Sequence, residues 1–226
     1  MKRVADGLYR ISFAIVHTYL IEHEDGLTLV DTAVKPVAGR ILSELEQDNR
    51  VPNDITEIVI THAHPDHVGG LPQLHNATGA PVICHHIEAP YVEGDEPIPR
   101  PEKSELKPLE RLLWMPPDTV PGTPVDRTVE DGEFIGQWQV VHTPGHAPGH
   151  ISLWQPETKI LIAGDALANT FNNLGRPFPP FTADMATAIE SIHRLAELEP
   201  AIICPGHGAV LDFAAAAKLK LFAEQL

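Results

Sequence analysis

The chain has 226 residues and a formal charge of −15, with 31 acidic against 16 basic side chains. Its length suits one large domain or at most two small ones, and 43% hydrophobic residues are enough to build a core. Because nucleic-acid affinity comes largely from cations that neutralise phosphates, this charge disfavours a nucleic-acid partner. No apolar run approaches the roughly 18 residues of a membrane span, no signal peptide is visible, and two cysteines cannot form a disulfide framework. We therefore expect a cytoplasmic protein without a membrane partner.

Strand and helix signals alternate along the first third of the chain. Short β-rich runs are predicted at residues 8–15, 17–22 and 27–30, with a hairpin turn at 24–26. Apolar residues at helical spacing predict a helix over 37–47. The runs at 55–60 and 81–84 are almost continuously apolar, which is typical of strands buried on both faces.

The last hundred residues repeat this order. Strands are predicted at 137–142, 151–155, 160–163 and 201–204, and helices at 183–198 and 213–226. Cys84 and Cys204 lie in apolar strands and are predicted to be small core residues. Strand-rich runs plus a helix thus occur twice, which predicts a mixed α/β fold with two β-rich layers and helices outside them.

The segment 88–128 differs in character, since it holds nine of the 22 prolines. It is too long for an ordinary connection, so we interpret it as a lid or insertion within a single domain spanning 1–226. Ser104 is a plausible N-cap, which predicts a helix over 105–115. Four bases either form a solvated face or contact an anionic substrate: Arg100, Lys103, Lys107 and Arg111.

Thirteen histidines are an unusual number for this length. Three of them fall with an aspartate in the pattern H-x-H-x-D-H, at His62, His64, Asp66 and His67. In an extended backbone, residues i and i+2 project to the same side, so His62 and His64 could bind one cation together. Imidazole and carboxylate are ligands that zinc prefers. The pattern predicts a metal site.

Three further polar residues follow predicted apolar strands and lie beside glycine: His146, Asp165 and His207. We expect each to leave the core into a loop, and loops at one edge of a sheet converge. Five histidines and two acids are then enough for two metal ions per chain. Zinc is the expected metal, with manganese, iron or cobalt as alternatives. Five other histidines have no metal-like spacing and are predicted to be structural: His17, His23, His75, His142 and His193.

The motifs THAHPDHVGG, TPGHAPGH, AGDAL and PGHG occur in that order, with VDTA near residue 31. Together they resemble the ligand motifs of the metallo-β-lactamase superfamily, and the match covers nearly the whole chain. The resemblance implies a four-layer αβ/βα sandwich with the site at one edge between two sheets.

The resemblance also implies two sets of three metal ligands joined by one bridging acid. The first set is His62, His64 and His146, the second is Asp66, His67 and His207, and the bridge is Asp165. Asp31 would orient a ligand from behind, as metal-bound histidines generally require, and His150 would support the site.

Such a site implies a hydrolase in which a metal-bridging hydroxide attacks an electrophilic carbonyl, because metal binding lowers the pKa of water to about 7. Asp66 could relay a proton to the leaving group. At the position of Asp165, genuine β-lactamases of the superfamily commonly have cysteine or serine. An aspartate there makes the chain resemble the thioester, lactone and phosphodiester hydrolases instead. Ala168 stands where typical acyl-homoserine lactonases have tyrosine. Classical glyoxalase II has a long helical domain beyond its last histidine, and since 19 residues follow His207 here, we do not expect that domain.

These comparisons predict a compact hydrolase of a lactone, ester or thioester that acts on a small molecule. Aromatic and apolar residues in two proline-rich stretches suggest an acyl or other apolar part: Trp114, Met115, Phe171, Phe178 and Phe181. Arg176 could instead meet a carboxylate or phosphate. The alternatives are an oxidoreductase resembling the mononuclear-iron sulfur dioxygenases, a β-lactam hydrolase, and a non-catalytic binding module.

Overall fold

A computed structural model describes residues 1–116, 118–170 and 173–226. The chain divides into two compact units. The first unit consists of Met1–Pro97 and Thr119–Val129, and the second of Ile98–Asp118 and Glu130–Leu226. The segment 88–128, predicted as one lid or insertion, is therefore shared between the two units.

The first unit is built on a sheet of seven strands in sequential order. They are β1 (Lys2–Ala5), β2 (Leu8–Phe13), β3 (Val16–His23), β4 (Gly26–Val30), β5 (Ile55–Val59), β6 (Val82–His85) and β7 (Arg127–Val129). The pairings from β1 to β4 are antiparallel, whereas those from β4 to β7 are parallel. The strands predicted at 17–22, 27–30, 55–60 and 81–84 are confirmed within one or two residues.

The predicted turn between β3 and β4 is a two-residue hairpin loop, since His23 pairs with Gly26. Gly26 has a φ of 142°, and a Cβ there would lie 2.6 Å from the carbonyl oxygen of Asp54. Glycine is therefore required both for the backbone conformation and for the close approach of the neighbouring segment.

Four helices belong to the first unit. They are α1 (Ala38–Gln47), α2 (Pro65–Val68), α3 (Leu71–Thr78) and α4 (Ala89–Val92). Ile41 and Leu45 lie four residues apart on α1 and are fully buried, as the predicted helical spacing requires. α1 packs against α3, which in turn contacts β5. The apolar run of β5 is buried because this helix layer covers it.

The second unit contains a sheet of six strands. They are β8 (Phe134–Ile135), β9 (Trp138–His142), β10 (Ile151–Gln155), β11 (Ile160–Thr170), β12 (Asn173–Gly175) and β13 (Ile202–Gly208). β8 to β11 form an antiparallel series, β12 pairs antiparallel with β11, and β13 pairs parallel with β11.

Two strands are longer than predicted. β11 continues through Asp165, and β13 includes His207, so neither residue is in a loop as expected. The pairing of β11 with β13 shifts register between Ile162 and Gly164 and again between Gly164 and Ala168. Such an irregularity re-aims side chains without ending a strand, which explains how Asp165 keeps a site position inside a buried strand.

Two helices complete the second unit, α5 (Met185–Glu197) and α6 (Ala215–Ala223). The side chain of Asp184 accepts hydrogen bonds from the backbone N–H groups of Ala186 and Thr187, so it caps α5. The two helices pack against each other and cover the sheet. Buried apolar side chains of this core include Leu161, Leu167, Ile192, Leu195, Ile203 and Leu219. Both predicted helices are confirmed, although α6 is shorter than 213–226.

The helix predicted over 105–115 is wrong. Among the described residues of this segment there are only 3-10 turns, at Lys103–Glu105 and Glu110–Leu112. Leu106 is buried, but Leu109 and Leu112 are 75% and 79% exposed, so the leucines do not bury a common face that would stabilise a helix. The Arg111 guanidinium instead donates to the backbone carbonyls of Ser104 and Leu106.

In the second unit, one ion pair fixes the end of β9. Arg194 donates to the carboxylate of Asp131 at 2.8 Å and to the carbonyl of His142 at 2.9 Å, while Asp131 accepts the His142 N–H. Partial burial alone would raise the pKa of Asp131, but the hydrogen bonds from Arg194 and His142 outweigh it and hold that pKa below its ordinary value of 3.8.

We expect Arg194→Ala to lower the free energy of unfolding by about 1 kcal/mol at pH 7, because the pair is half exposed and screened by solvent. A lowered folded-state pKa means that this contribution is present above pH 3.8 and is lost as the pH falls below it. Urea unfolding at pH 7 and pH 3 measures the difference. Arg40→Ala, which removes an i,i+4 surface pair with Glu44, is the control. An Arg194 effect of equal size at both pH values would contradict the expectation.

None of the helices in the described part of the chain has the length and apolar character needed to cross a membrane.

Candidate functional site

The predicted residues of the first unit follow the carboxyl ends of parallel strands. Asp31 comes directly after β4, and the H-x-H-x-D-H motif begins three residues after β5. Backbone hydrogen bonds continue beyond the strands, from the N–H of Asp31 to the carbonyl of Val59 and from the N–H of Ile60 to the carbonyl of Ile83. These bonds hold the segments that follow the strands side by side.

Asp31 is 4% exposed and lies at the centre of a hydrogen-bond network. Its carboxylate accepts from the N–H and the hydroxyl of Thr61, both at 2.8 Å, and lies 2.8 Å from Nδ1 of His67. Since a carboxylate only accepts, Nδ1 of His67 carries the hydrogen. The other ring nitrogen, Nε2, then has its lone pair available for a metal.

The Thr61 hydroxyl sets the ring of His62 in the same way. It lies 3.1 Å from Nδ1 of His62 and donates its only hydrogen to Asp31. Nδ1 of His62 must therefore be the donor to Thr61, which leaves a lone pair on Nε2. That Nε2 is 3.0 Å from Nδ1 of His64. A distance of 3.0 Å between these two ring nitrogens is short enough for both to contact one cation, as the sequence predicts.

The fourth member of the motif, Asp66, is in the first turn of α2, where Pro65 begins the helix. It is half buried, and its carboxylate lies within 4.8 Å of a ring nitrogen of His67. Ring nitrogens of His62 and His67 are also within 4.8 Å of each other. The first unit thus gathers four of the predicted ligands.

In the second unit, Asp165 lies between two histidines. Its Oδ2 is 3.5 Å from Nε2 of His146 and 3.2 Å from Nε2 of His207. The Thr182 hydroxyl donates to the carbonyl of Phe178 and lies 3.2 Å from Nδ1 of His146, so that Nδ1 donates to it. The Nε2 lone pair of His146 then faces a carboxylate oxygen. Two acceptors that face each other require a cation or a proton between them, so this donor set fits a metal ion.

His150 holds the backbone beneath Asp165. The N–H of Asp165 donates to Nε2 of His150 at 2.9 Å. Nδ1 of His150 therefore carries a hydrogen, which it donates to the Thr143 hydroxyl at 2.8 Å. With both nitrogens engaged in this way, His150 is not available as a metal ligand. It supports the strand at the position of the register shift.

The loop that carries His146 is fixed to the start of α5. Gly145 has a φ of 122°, and a Cβ there would lie 2.1 Å from the backbone nitrogen of Ala188. The carbonyls of Gly145 and His146 accept hydrogen bonds from Asp184 and Ala183. Any larger residue at 145 would displace the loop or the helix.

Three residues that were not predicted from the sequence contact the predicted ligands or their backbone. Thr61 and Thr182 fix ring nitrogens of His62 and His146, as described above. Glu88 is fully buried and accepts the N–H of Ala63, between His62 and His64. An acid three residues after an apolar strand is an available signal for Glu88, whereas the threonines have no distinguishing pattern.

Most of the basic residues between 98 and 118 have partners within the second unit. The Arg100 guanidinium lies 5.0 Å from the ring centre of Phe181, and the Lys103 ammonium 5.3 Å from that of Trp114. Phe178 is exposed, as is Arg176. Phe171, also predicted to meet an apolar substrate, lies outside the described residues.

Comparison with known proteins adds the family. The model of the metallo-beta-lactamase superfamily matches residues 12–207. The chain belongs to this superfamily. The family and the mixed α/β fold predicted from the motifs are confirmed.

Individual relatives agree with this family. A probable metallo-hydrolase, YflN of Bacillus subtilis, is 33% identical, over 90% of this chain and 84% of its own length. An N-acyl homoserine lactonase of Bacillus thuringiensis is 28% identical, over 85% and 80%. The solved structure of TTHA1623 in a di-iron-bound form is 29% identical, with a TM-score of 0.68 over 95% of this chain and 96% of that one. The prediction of an enzyme of metallo-hydrolase class is confirmed at that level.

Proposed function

We propose that this superfamily member is a dinuclear-metal hydrolase of a lactone, ester or thioester. One metal would be held by His62, His64 and His146, and the other by Asp66, His67 and His207, with Asp165 shared between them. We propose zinc as the metal, at two ions per chain, in a single domain spanning 1–226.

The observation that carries this proposal is the position of Asp165. One carboxylate oxygen lies 3.5 Å from His146 and 3.2 Å from His207, the two histidines that the family resemblance assigns to different metals. A carboxylate shared by two ligand sets is the arrangement expected of a bridge. The di-iron form of TTHA1623 supports a two-metal centre in a relative.

Divalent metals, when bound, supply a nucleophile at neutral pH and polarise a carbonyl oxygen. The chain's own residues determine where that chemistry occurs. Asp31 and Thr61 keep the hydrogens of His67 and His62 on Nδ1, so that Nε2 is the nitrogen of each ring that would bind metal. His150 holds the Asp165 backbone, and the Asp184-capped start of α5 holds the loop of His146.

The proposed substrate is a small molecule with an ester-like bond and an apolar part. The lactonase relative supports a lactone. Phe178 and Phe181, with ring centres 5.6 Å apart, offer an apolar surface to an acyl group. Because Arg100 lies against Phe181 and Lys103 against Trp114, these cations stabilise the segment, and we do not assign them to an anionic substrate.

A hydrolysis panel tests the proposed reaction. Zinc-loaded protein is incubated with lactones, thioesters, phosphodiesters and β-lactams, and its metal content is measured by elemental analysis. We expect two zinc ions per chain and turnover of the ester-like substrates. Exclusive turnover of β-lactams or phosphodiesters would contradict the proposed bond type. One iron per chain with oxygen consumption would support the oxidoreductase alternative instead.

Asp66 is the proposed proton relay to the leaving group. Replacing it with asparagine keeps an oxygen ligand but removes the group that accepts and returns a proton. We expect Asp66→Asn to lower kcat by about 100-fold or more, the usual contribution of general acid–base catalysis, with most of the metal retained. Steady-state kinetics beside metal analysis measure both. Full turnover in an Asp66→Asn protein that retains its metal would exclude the relay.

A further inference from the structure

Glu88 is a fully buried acid that the proposed chemistry does not use. It lies between β6 and α4, and its backbone is fixed on both sides. Its N–H donates to the carbonyl of His85 at 2.9 Å, and its own carbonyl accepts from the N–H of Val92 at 3.1 Å. β6 lies beside β5 in parallel register, so the residues that follow both strands are neighbours. The Glu88 side chain thereby reaches the segment after β5.

The contact made there is specific. Oε1 of Glu88 accepts the backbone N–H of Ala63 at 2.8 Å. Ala63 separates His62 from His64, and its own side chain is buried. In an extended segment the side chains of His62 and His64 project to one side and that of Ala63 to the other. The hydrogen bond therefore holds the peptide group that sets the angle between the two rings.

The Glu88 carboxylate lies near enough to the buried Cys84 thiol to affect it. Burial raises the pKa of the Cys84 thiol, and the carboxylates of Glu88 and Glu93 raise it further. A buried carboxylate is costly to keep unless hydrogen bonds or a cation compensate for its lost hydration. An apolar residue at position 88 would pack in the core without the free-energy cost of burying a charge. The presence of Glu88 therefore indicates a role beyond packing.

We propose that Glu88 is a positioning residue for the His62–His64 pair, acting through the hydrogen bond to Ala63. This inference rests on the proposed function, since it assumes that the pair binds metal. Without the bond, the peptide between His62 and Ala63 can rotate and the two ring nitrogens no longer share one cation.

Four variants test this role by zinc affinity, measured by competition with a chromogenic chelator, and by melting temperature with and without zinc. Glu88→Gln keeps an acceptor oxygen at the same reach. Glu88→Asp keeps the charge but shortens the side chain, and Glu88→Ala removes both. Glu93→Ala is the matched control, because Glu93 accepts the N–H of Val125 at 3.0 Å in the same unit.

We expect Glu88→Ala and Glu88→Asp to weaken zinc binding by about 10- to 100-fold, as for other residues that support metal ligands, and Glu88→Gln by less than about threefold. Glu93→Ala should lower the melting temperature without a change in zinc affinity. If Glu88→Ala does not fold, the comparison of Asp with Gln decides the result.

Equal zinc affinity in wild type, Glu88→Asp and Glu88→Gln would overturn the positioning role while leaving the proposed function intact. Equal losses in Glu88→Asp and Glu88→Gln would overturn it as well, because the Ala63 bond would then not be the cause. Wild-type protein that takes up no zinc or other divalent metal would overturn the proposed function and this inference together.

Discussion

The substitution His64→Ala is expected to abolish every metal-dependent hydrolytic activity of the protein. His64 contributes one of two ring nitrogens that lie 3.0 Å apart, and its loss removes one of the proposed ligands of the first metal. Electrostatic stabilisation by a bound metal is worth several kcal/mol in the transition state, so we expect kcat/KM to fall by about 1000-fold or more on each substrate. Metal content should fall in parallel.

The control for this variant is His193→Ala. His193 is an exposed histidine on α5 without metal-like spacing, so its removal should leave metal content and turnover at the wild-type level. An activity that persists in His64→Ala at the wild-type rate would show that the site has been assigned wrongly. Activity lost in both variants would indicate a general sensitivity to substitution.

Alanine at position 31 is expected to have the largest effect on stability. It leaves three buried donors without their carboxylate, namely the N–H and hydroxyl of Thr61 and Nδ1 of His67. At about 1–3 kcal/mol for each of these three unsatisfied buried groups, we expect a loss of about 3–9 kcal/mol in the free energy of unfolding. The tautomer of His67 is also released, so metal affinity should fall by about 10- to 100-fold.

Two further variants separate the causes. Asp31→Asn keeps one acceptor oxygen and tolerates the φ of 61° at this position, so its stability loss should be smaller while its metal affinity is still reduced. Asp126→Ala removes an exposed carboxylate that accepts the N–H of Val82, and should cost about 1 kcal/mol without any effect on metal. Denaturant unfolding and chelator competition measure both quantities. An Asp31→Ala protein as stable as Asp126→Ala would contradict the network described here.

Local pattern was sufficient to predict most of the fold. The apolar run at 55–60 is β5 and the helical spacing at 37–47 is α1, because a strand buried on both faces and a one-sided helix each have a distinct period. The ordered histidine motifs likewise identified the family before any fold was known, since seven donors at those spacings are seldom needed for packing.

What depends on tertiary contacts could not be predicted. The stretch at 105–115 has helix formers and a candidate cap, but Leu109, Leu112 and Leu113 are exposed rather than packed, so the helix does not form. Asp165 follows an apolar run, and nothing local shows that β11 continues past it with a shifted register. Glu88 and Ala63 are 25 residues apart in sequence, and they are in contact because β5 and β6 are neighbours in the sheet.

The two threonine hydroxyls have a consequence for how relatives of this protein should be compared. The hydroxyl groups of Thr61 and Thr182 each donate their single hydrogen to a neighbouring oxygen. Each hydroxyl therefore accepts from Nδ1 of His62 or His146, which leaves Nε2 as the nitrogen that would bind metal. Valine has nearly the same shape but no hydroxyl. A relative could therefore keep every histidine and aspartate of the motifs and still bind metal weakly because of one methyl group. A comparison of the ligand residues alone would wrongly assign such a protein a functional metal site.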